Sequence, residues 1–252
     1  MSFYTLTNEQ RTKLVQQINR DVLAGIQANK SALLLNYFSD EDTYIRKAAY
    51  QAVGKVYDNN ETLRKKTLAI LNKFFFNDKN PKVRQTAINT AGEIGRKDFE
   101  AVEFFFDEGL FDEDHSVRNA VIGSVKKMGE KNPKPALEWA KKYVHHPDKE
   151  VRREICHGIE LRGRTHPQDI LPLLKELQHD KTARVRNTLI HVLGQISYKK
   201  GCLPTVVKYL KTWSNKELVN AALEEIIDVH ERYKNFAVMT QEEVISFIKR
   251  HS

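Results

Sequence analysis

Apolar residues recur along this chain at helical spacing, and the segments that carry them come in pairs that repeat. The pattern is sharpest from Asp180 to Ser197, where an acidic start leads into a Val-Arg pair, an apolar stripe and a Gly near the end. An equivalent dipeptide stands at Ile45-Arg46, Val83-Arg84, Val117-Arg118, Val151-Arg152 and Val185-Arg186, so successive arginines lie 38, 34, 34 and 34 residues apart. Three residues after each Arg come Ala49, Ala87, Val121, Ile155 and Leu189, and seven after come Val53, Ala91, Val125, Ile159 and Leu193. These positions share one helix face and are predicted core. One such unit cannot bury its apolar face alone, so a fixed period of this length predicts helical pairs stacked on one another.

The predicted helices follow in order. Asn8 to Gln27 and Ser31 to Phe38 form an entry cap; Asp40 to Tyr57 is the first inner helix, ended by Asp58 to Asn60. Glu61 to Phe76 is an outer helix, and Asn80-Pro81 opens an inner one that runs through Val83 to Gly95. His115 to Met128 and a helix from Lys149 are further inner helices, with Pro135 to Val144 an outer one between them. Pro167 and Pro172 mark the start of the next outer helix, and Pro204 sits early in the one after. Glu217 to Tyr233 is the last inner helix, with Val219-Asn220 in place of Val-Arg, and Gln241 to Arg250 closes the chain. The runs Phe74 to Phe76 and Phe104 to Phe106 are each placed at the end of an outer helix, most of their rings in the core because consecutive residues point in different directions. Trp139 and Trp213 are expected in packing positions as well.

This layout resembles the HEAT-repeat family, with an Asp six residues before the Arg at Asp40, Asp78, Asp112 and Asp180. The resemblance implies an all-α fold, a right-handed α-solenoid of about six HEAT-like repeats. The expected organisation is a single domain over 1–252, with capping helices in 1–38, repeats in 40–233 and a closing helix in 240–252. It also implies that the recurrent Asp and Arg form a ladder between repeats, so Arg46, Arg84, Arg118, Arg152 and Arg186 are expected to be scaffold.

Composition changes the picture in one respect. The net charge is +8, and it is regional: Lys126 to Lys208 holds 18 Lys or Arg against 9 Asp or Glu. A local surplus suggests an acidic partner such as a nucleic-acid backbone, against the plainer reading of a solubilising face. Cys156 and Cys202 lie in apolar surroundings, and Met-Ser-Phe-Tyr-Thr lacks the features of a signal peptide, so a reducing, cytoplasmic setting is expected. No apolar run reaches the roughly 18 residues a membrane span needs. A monomer is expected.

The positions one and five after each Arg, and after Asn220 in the last repeat, are mostly polar and would line a concave groove: Lys47 and Gln51, Gln85 and Asn89, Asn119 and Gly123, Arg153 and His157, Asn187 and His191, Ala221 and Glu225. Glu93, Glu160 and Glu225 interrupt the same surface. Within it, Leu137 to Leu174 resembles the HEAT-like alkylpurine DNA glycosylases and their DNA alkylation repair relatives, through Trp139-Ala140-Lys141, Arg152-Arg153, His157 and Arg162-Gly163-Arg164. That resemblance implies DNA as the partner, with Lys126, Lys127, Arg153, Arg162, Arg164 and Arg184 toward phosphates and His157, Asn187 and His191 deeper in the groove. It implies either base excision or an inactive relative. Excision of a cationic base needs little acid catalysis but wants a carboxylate and aromatic surface near the sugar, and Glu160 is the one acid of the motif near the groove. Some relatives carry an aromatic where Arg153 stands and a basic residue where Glu160 stands, and no Trp-x-x-x-Asp pair lies on an inner helix.

Other chemistries find no support in the spacing. His145, His146, His157, His166 and His179 match no metal site of fixed geometry, neither Cys has a Cys-x-x-Cys partner, and there is no phosphate-binding glycine loop or nucleophile elbow. No cofactor or metal is expected. The competing reading is a non-enzymatic scaffold that holds a protein or peptide partner.

Overall fold

A computed structural model of the chain describes residues 3–251, so Met1, Ser2 and Ser252, the ends of the expected single domain, lie outside the described residues. The described residues fold into fourteen α-helices and two short 3-10 turns with no strand. The chain divides into two compact units, Met1–Ser124 and Val125–Ser252.

In the first unit, α1 (Asn8–Gln27), α3 (Thr43–Asn59) and α5 (Pro81–Gly95) pack side by side as an inner row. Helices α2 (Ala32–Phe38), α4 (Arg64–Asn77) and α6 (Glu103–Gly109) lie against them. Helix α7 (His115–Lys131) holds the boundary. In the second unit α9 (Lys149–Gly163), α11 (Ala183–Gln195) and α13 (Lys216–Arg232) form the inner row; α8 (Pro133–Tyr143), α10 (Pro167–Lys175) and α12 (Cys202–Leu210) flank it. Helix α14 (Gln241–His251) closes on α12 and α13.

The ten stripe residues expected in the core are all buried, none more than 3% exposed. Trp139 and Trp213 are each 1% exposed and belong to the packing. Truncating one stripe residue, such as Leu189→Ala, costs about 2–5 kcal/mol through lost transfer energy and the cavity left behind. The phenylalanine runs divide: Phe74, Phe75, Phe105 and Phe106 are buried, while Phe76 and Phe104 face solvent. The second run opens α6 instead of ending an outer helix, because Val102 ends the preceding turn and the helix continues to Gly109.

The repeat's polar residues build one turn, used five times. An Asp accepts the backbone N–H two residues on: Asp40 from Asp42 at 2.7 Å, Asp78 from Asn80 at 2.9 Å, Asp112 from Asp114 at 2.8 Å and Asp180 from Thr182 at 2.8 Å. His146 takes that place in the remaining repeat, its Nδ1 accepting from the N–H of Asp148 at 3.1 Å. From the other side each repeat Arg donates through Nη1 to the carbonyl six residues back, at 2.5 to 3.3 Å. These carbonyls and amides would otherwise be unpaired where the chain enters a helix, so the Asp and Arg are retained together. The turn also explains why α3 begins at Thr43 and not at Asp40: Asp40 is inside the turn and Asp42 is the N-cap, accepting from Tyr44 N–H at 2.8 Å.

The expected ladder forms at two rungs. Arg84 meets Asp112 with two bonds at 2.8 and 2.9 Å, and Arg152 meets Asp180 at 2.5 and 3.1 Å. The carboxylate that reaches back stands six residues before the next repeat's Arg or its counterpart Asn220, and that place holds His146 after Arg118 and Ser214 after Arg186, so these two arginines serve their own turns. For Arg46 the place holds Asp78, 32 residues on across the longer first period, and Arg46 bonds within its own turn, to the carbonyls of Asp40 and Glu41 and the hydroxyl of Thr43.

Candidate nucleic-acid interface

Helices α9 and α11 run side by side, and their register brings the polar row of two repeats together. Arg153 and His157 from α9 and Arg184, Asn187, Thr188 and His191 from α11 line one open cleft of about 400 Å³. Four of these six, Arg153, His157, Asn187 and His191, are residues that the spacing pointed to, and Arg184 was a candidate through the basic surplus and the family resemblance. The imidazoles of His157 and His191 face each other edge to face, with ring centroids 6.0 Å apart. Thr188 is the member that sequence reasoning missed. It follows Asn187 directly, lies one turn after Arg184 and donates its hydroxyl to the Arg184 carbonyl at 3.0 Å, so its helical position alone could have found it.

The cleft's cations are not bare. Arg153 donates to Glu150 at 2.9 Å and also pairs with Glu154. Glu150 reaches Arg184 as well, at 3.4 Å, while the Arg184 side chain remains 63% exposed. His191 Nδ1 lies 3.5 Å from Glu225, which also holds Arg232 at 3.2 Å. The cleft therefore offers guanidinium, imidazole and amide donors over a rim of carboxylates.

Below it lies a buried hub. Glu160 is 4% exposed and meets two cationic side chains, Arg164 at 2.5 Å and Lys126 at 3.5 Å, and the imidazole Nδ1 of His157 at 3.4 Å. Burial works to raise the pKa of its carboxyl. The His157 hydrogen bond and the charges of Lys126 and Arg164 outweigh that and pull it down to about 2. The net effect is a carboxylate fixed at neutral pH and surrounded by positive charge. Arg164 also donates to Gln195 Oε1 at 2.9 Å, and the Nε2 of that buried amide has no hydrogen-bond partner.

The remaining candidates are spread around this centre. Arg162 turns away toward Asp169 at 2.6 Å, holding the turn between α9 and α10, and its side chain is only 15% exposed. Lys126 and Arg164 spend their charge on Glu160 while keeping part of their stems exposed. Lys127 is exposed on α7. Burial among apolar groups and the nearby Glu160 charge push the Cys156 thiol up, out of the nucleophilic range. Among the described residues, no group of three or more His, Cys, Asp and Glu is placed to hold a metal ion, and no helix is long and apolar enough to cross a membrane.

Residues 137–227 match the HEAT repeats family, and residues 26–108 match the family of the non-SMC mitotic condensation complex subunit 1. No curated protein matches the chain. Among solved structures, AlkD2 from Streptococcus mutans is 20% identical, with 78% of this chain and 97% of that chain covered and a TM-score of 0.54. The protein smu.31 from Streptococcus mutans UA159 is 21% identical, with 71% of this chain and 92% of that chain covered and a TM-score of 0.50. At this identity the likeness shows the fold: an all-α architecture of HEAT- and armadillo-like helical repeats.

Proposed function

We propose that this protein binds DNA through the sugar-phosphate backbone, using the α9 and α11 cleft and the basic surface around it. The observation that carries this reading is the convergence of Arg153, His157, Arg184, Asn187, Thr188 and His191 on one open cleft. It lies within the stretch where Lys and Arg outnumber Asp and Glu by 18 to 9. Guanidinium, amide, hydroxyl and imidazole donors are the groups that meet phosphate oxygens, and they position a duplex without reading its sequence. The resemblance of Leu137 to Leu174 to the alkylpurine DNA glycosylases, together with the fold shared with AlkD2, supports the same partner class.

The reading stops at binding and does not extend to base excision. A carboxylate that stabilises a cationic sugar must face it across little solvent. Glu160 instead faces Arg164, Lys126 and His157 from a buried position. Incubation with alkylated duplex DNA is expected to release no base; release that is lost in Glu160→Gln would overturn this part.

Fluorescence anisotropy with a labelled duplex over roughly 50 to 200 mM salt tests the binding itself. Affinity should fall steeply with salt, and Arg153→Ala with Arg184→Ala should reduce the slope of log affinity against log salt by about 2. Absence of binding at the lowest salt, or an unchanged slope in the double variant, would refute the proposal. The carboxylate rim favours one other occupant, a peptide carrying both signs of charge. A protein partner that co-purifies through nuclease treatment and high salt would favour it over DNA.

A further inference from the structure

Two groups of the α9 and α11 cleft are surplus to backbone binding. A guanidinium keeps its charge at any physiological pH, whereas an imidazole gains and loses its proton near neutrality and is a poor choice for a permanent phosphate contact. Yet the place five residues after the repeat Arg is His in the two repeats that meet here, at His157 and His191, where the three repeats before them hold Gln51, Asn89 and Gly123. The two rings face each other at 6.0 Å, and their side chains are 26% and 42% exposed.

Each imidazole is held in the same way. His157 Nδ1 lies 3.4 Å from the Glu160 carboxylate, and His191 Nδ1 lies 3.5 Å from that of Glu225. A carboxylate can only accept, so in the neutral ring Nδ1 carries the proton and Nε2 is the basic nitrogen. Among the described residues, neither Nε2 has a hydrogen-bond partner. Charged groups face the pair from each packed element. Arg153 stands one turn before His157 on α9 and Arg184 lines the cleft from α11. Lys126 of α7 and Arg164 stand behind Glu160, and Arg232 of α13 stands behind Glu225. Glu150 and Glu154 complete the set, both holding Arg153 and the first also reaching Arg184. Two basic nitrogens on neighbouring rings, in a cleft open to a polymer, can take a proton at one oxygen of a phosphodiester and give one at another.

We propose that the cleft cleaves RNA by internal transfer at phosphorus, with His157 and His191 as its general base and general acid, an inference resting on the reading of this cleft as a phosphate-backbone site. The neutral imidazole removes the proton of a ribose 2′-hydroxyl through Nε2 as that oxygen bonds to the adjacent phosphorus. The protonated imidazole gives its Nε2 proton to the 5′-oxygen as the bond between phosphorus and that oxygen breaks. Arg184, 63% exposed in its side chain, supplies positive charge for the non-bridging oxygens as they become more negative. The products are a 2′,3′-cyclic phosphate and a 5′-hydroxyl; the two imidazoles together hold one proton before and after, and no oxidant, reductant or further reactant enters. The nucleophile arrives with the substrate, already beside its phosphorus, so two proton-transferring side chains suffice. DNA has no 2′-hydroxyl, so it is bound and left whole.

The test incubates the full chain with a labelled single-stranded oligoribonucleotide and with DNA of the same sequence, with EDTA present throughout. The RNA should be cut to 2′,3′-cyclic phosphate ends, and the DNA should stay intact. His157→Gln and His191→Gln should each lower kcat about 10²- to 10⁴-fold, the share of a general acid or base. Thermal unfolding close to that of the parent chain is part of the expected result; if one variant is destabilised, the other decides. The rate against pH should be bell-shaped, and the limb that disappears in each variant tells base from acid. RNA left uncut by a chain that binds duplex DNA with the expected salt dependence overturns the catalytic step and leaves the binding reading standing. A chain that binds neither removes both. Cleavage that persists in both variants, or that takes DNA as readily as RNA, also overturns the proposal, since it then does not come from these imidazoles acting on a 2′-hydroxyl.

Discussion

The Lys126 ammonium lies 3.5 Å from the Glu160 carboxylate, and both residues stand eight positions after a repeat Arg, where Gly54, Gly92 and Gly194 stand in the other repeats. At those glycines the neighbouring helix comes too close for a side chain. A methyl built on Gly54 would meet Glu93 Cβ at 2.8 Å, on Gly92 it would meet Ser124 Oγ at 2.5 Å, and on Gly194 it would meet Glu225 Cγ at 2.7 Å. The position thus has two solutions, a bare backbone or a pair of opposite charges. The charged solution occurs in successive repeats, directly below the cleft.

Two glycines in the first unit should respond in opposite senses to the same substitution. Gly92→Ala pushes a methyl into Ser124 and is expected to cost about 1–3 kcal/mol, the range of an overpacked helix contact. Gly123→Ala meets nothing within 4 Å in the interior of α7 and is expected to stabilise by about 0.5–1 kcal/mol through helix propensity. Urea midpoints of the two variants decide it; shifts of the same sign would contradict the packing.

The two kinds of repeat arginine should also separate. Arg84 and Asp112 are each under 10% exposed in their side chains, so Arg84→Ala strands a buried carboxylate and is expected to cost about 3–5 kcal/mol. Arg118→Ala removes bonds to the carbonyls of Asp112 and Glu113 from a turn that water can reach, worth about 1–2 kcal/mol. Comparable losses in the two variants would mean that the loop bonds, and not the ladder, carry the arginine's contribution.

Glu160 makes stability depend on acid. Its carboxyl ordinarily titrates near 4.5 and is held at about 2 in the fold. A folded value below the unfolded one contributes stability that is present above about 4.5 and is lost as pH falls toward 2. The shift corresponds to roughly 3 kcal/mol. Glu160→Gln should destabilise the chain at neutral pH, since Lys126 and Arg164 lose their counter-charge, and should flatten the acid limb of the stability profile. Profiles that run parallel through that limb would rule the hub out as its cause.

How far the sequence carries depends on the kind of contact. The stripe from Ala49 to Leu193 is periodic, and periodicity fixes a face, so all ten residues lie where their spacing put them. The same logic brought Arg153, His157, Asn187 and His191 to one cleft, because a row on one helix must neighbour the same row on the next. What spacing does not carry is the reach of long side chains. Glu150, at the start of α9, stands 34 residues before Arg184, and Glu225 stands 34 after His191, so the register sets each beside its partner; that Glu150 spans to both Arg153 and Arg184, and that Glu225 crosses from α13 to His191, depends on side-chain reach. The exposure of Phe76 and Phe104 was hidden for a related reason, since each belongs to a run whose other members are core.

Glu150 is the residue through which the chain restrains its own cleft. One oxygen accepts from Arg153 at 2.9 Å and the other lies 3.4 Å from Arg184, so a phosphate entering the cleft must compete with this carboxylate for both guanidinium groups. Its side chain is 38% exposed, and an exposed ion pair contributes at most about 1 kcal/mol to folding, so Glu150→Gln should leave stability nearly unchanged, apart from a few tenths of a kcal/mol for an acid lost from the first turn of α9. DNA affinity should rise several-fold, and the salt slope should steepen by about 1 as the freed guanidinium charge meets phosphate. Anisotropy titrations of Glu150→Gln beside the parent chain give the answer. Weaker DNA binding in the variant would mean that Glu150 orients the two arginines for the ligand, and the restraint argued from its geometry would be wrong.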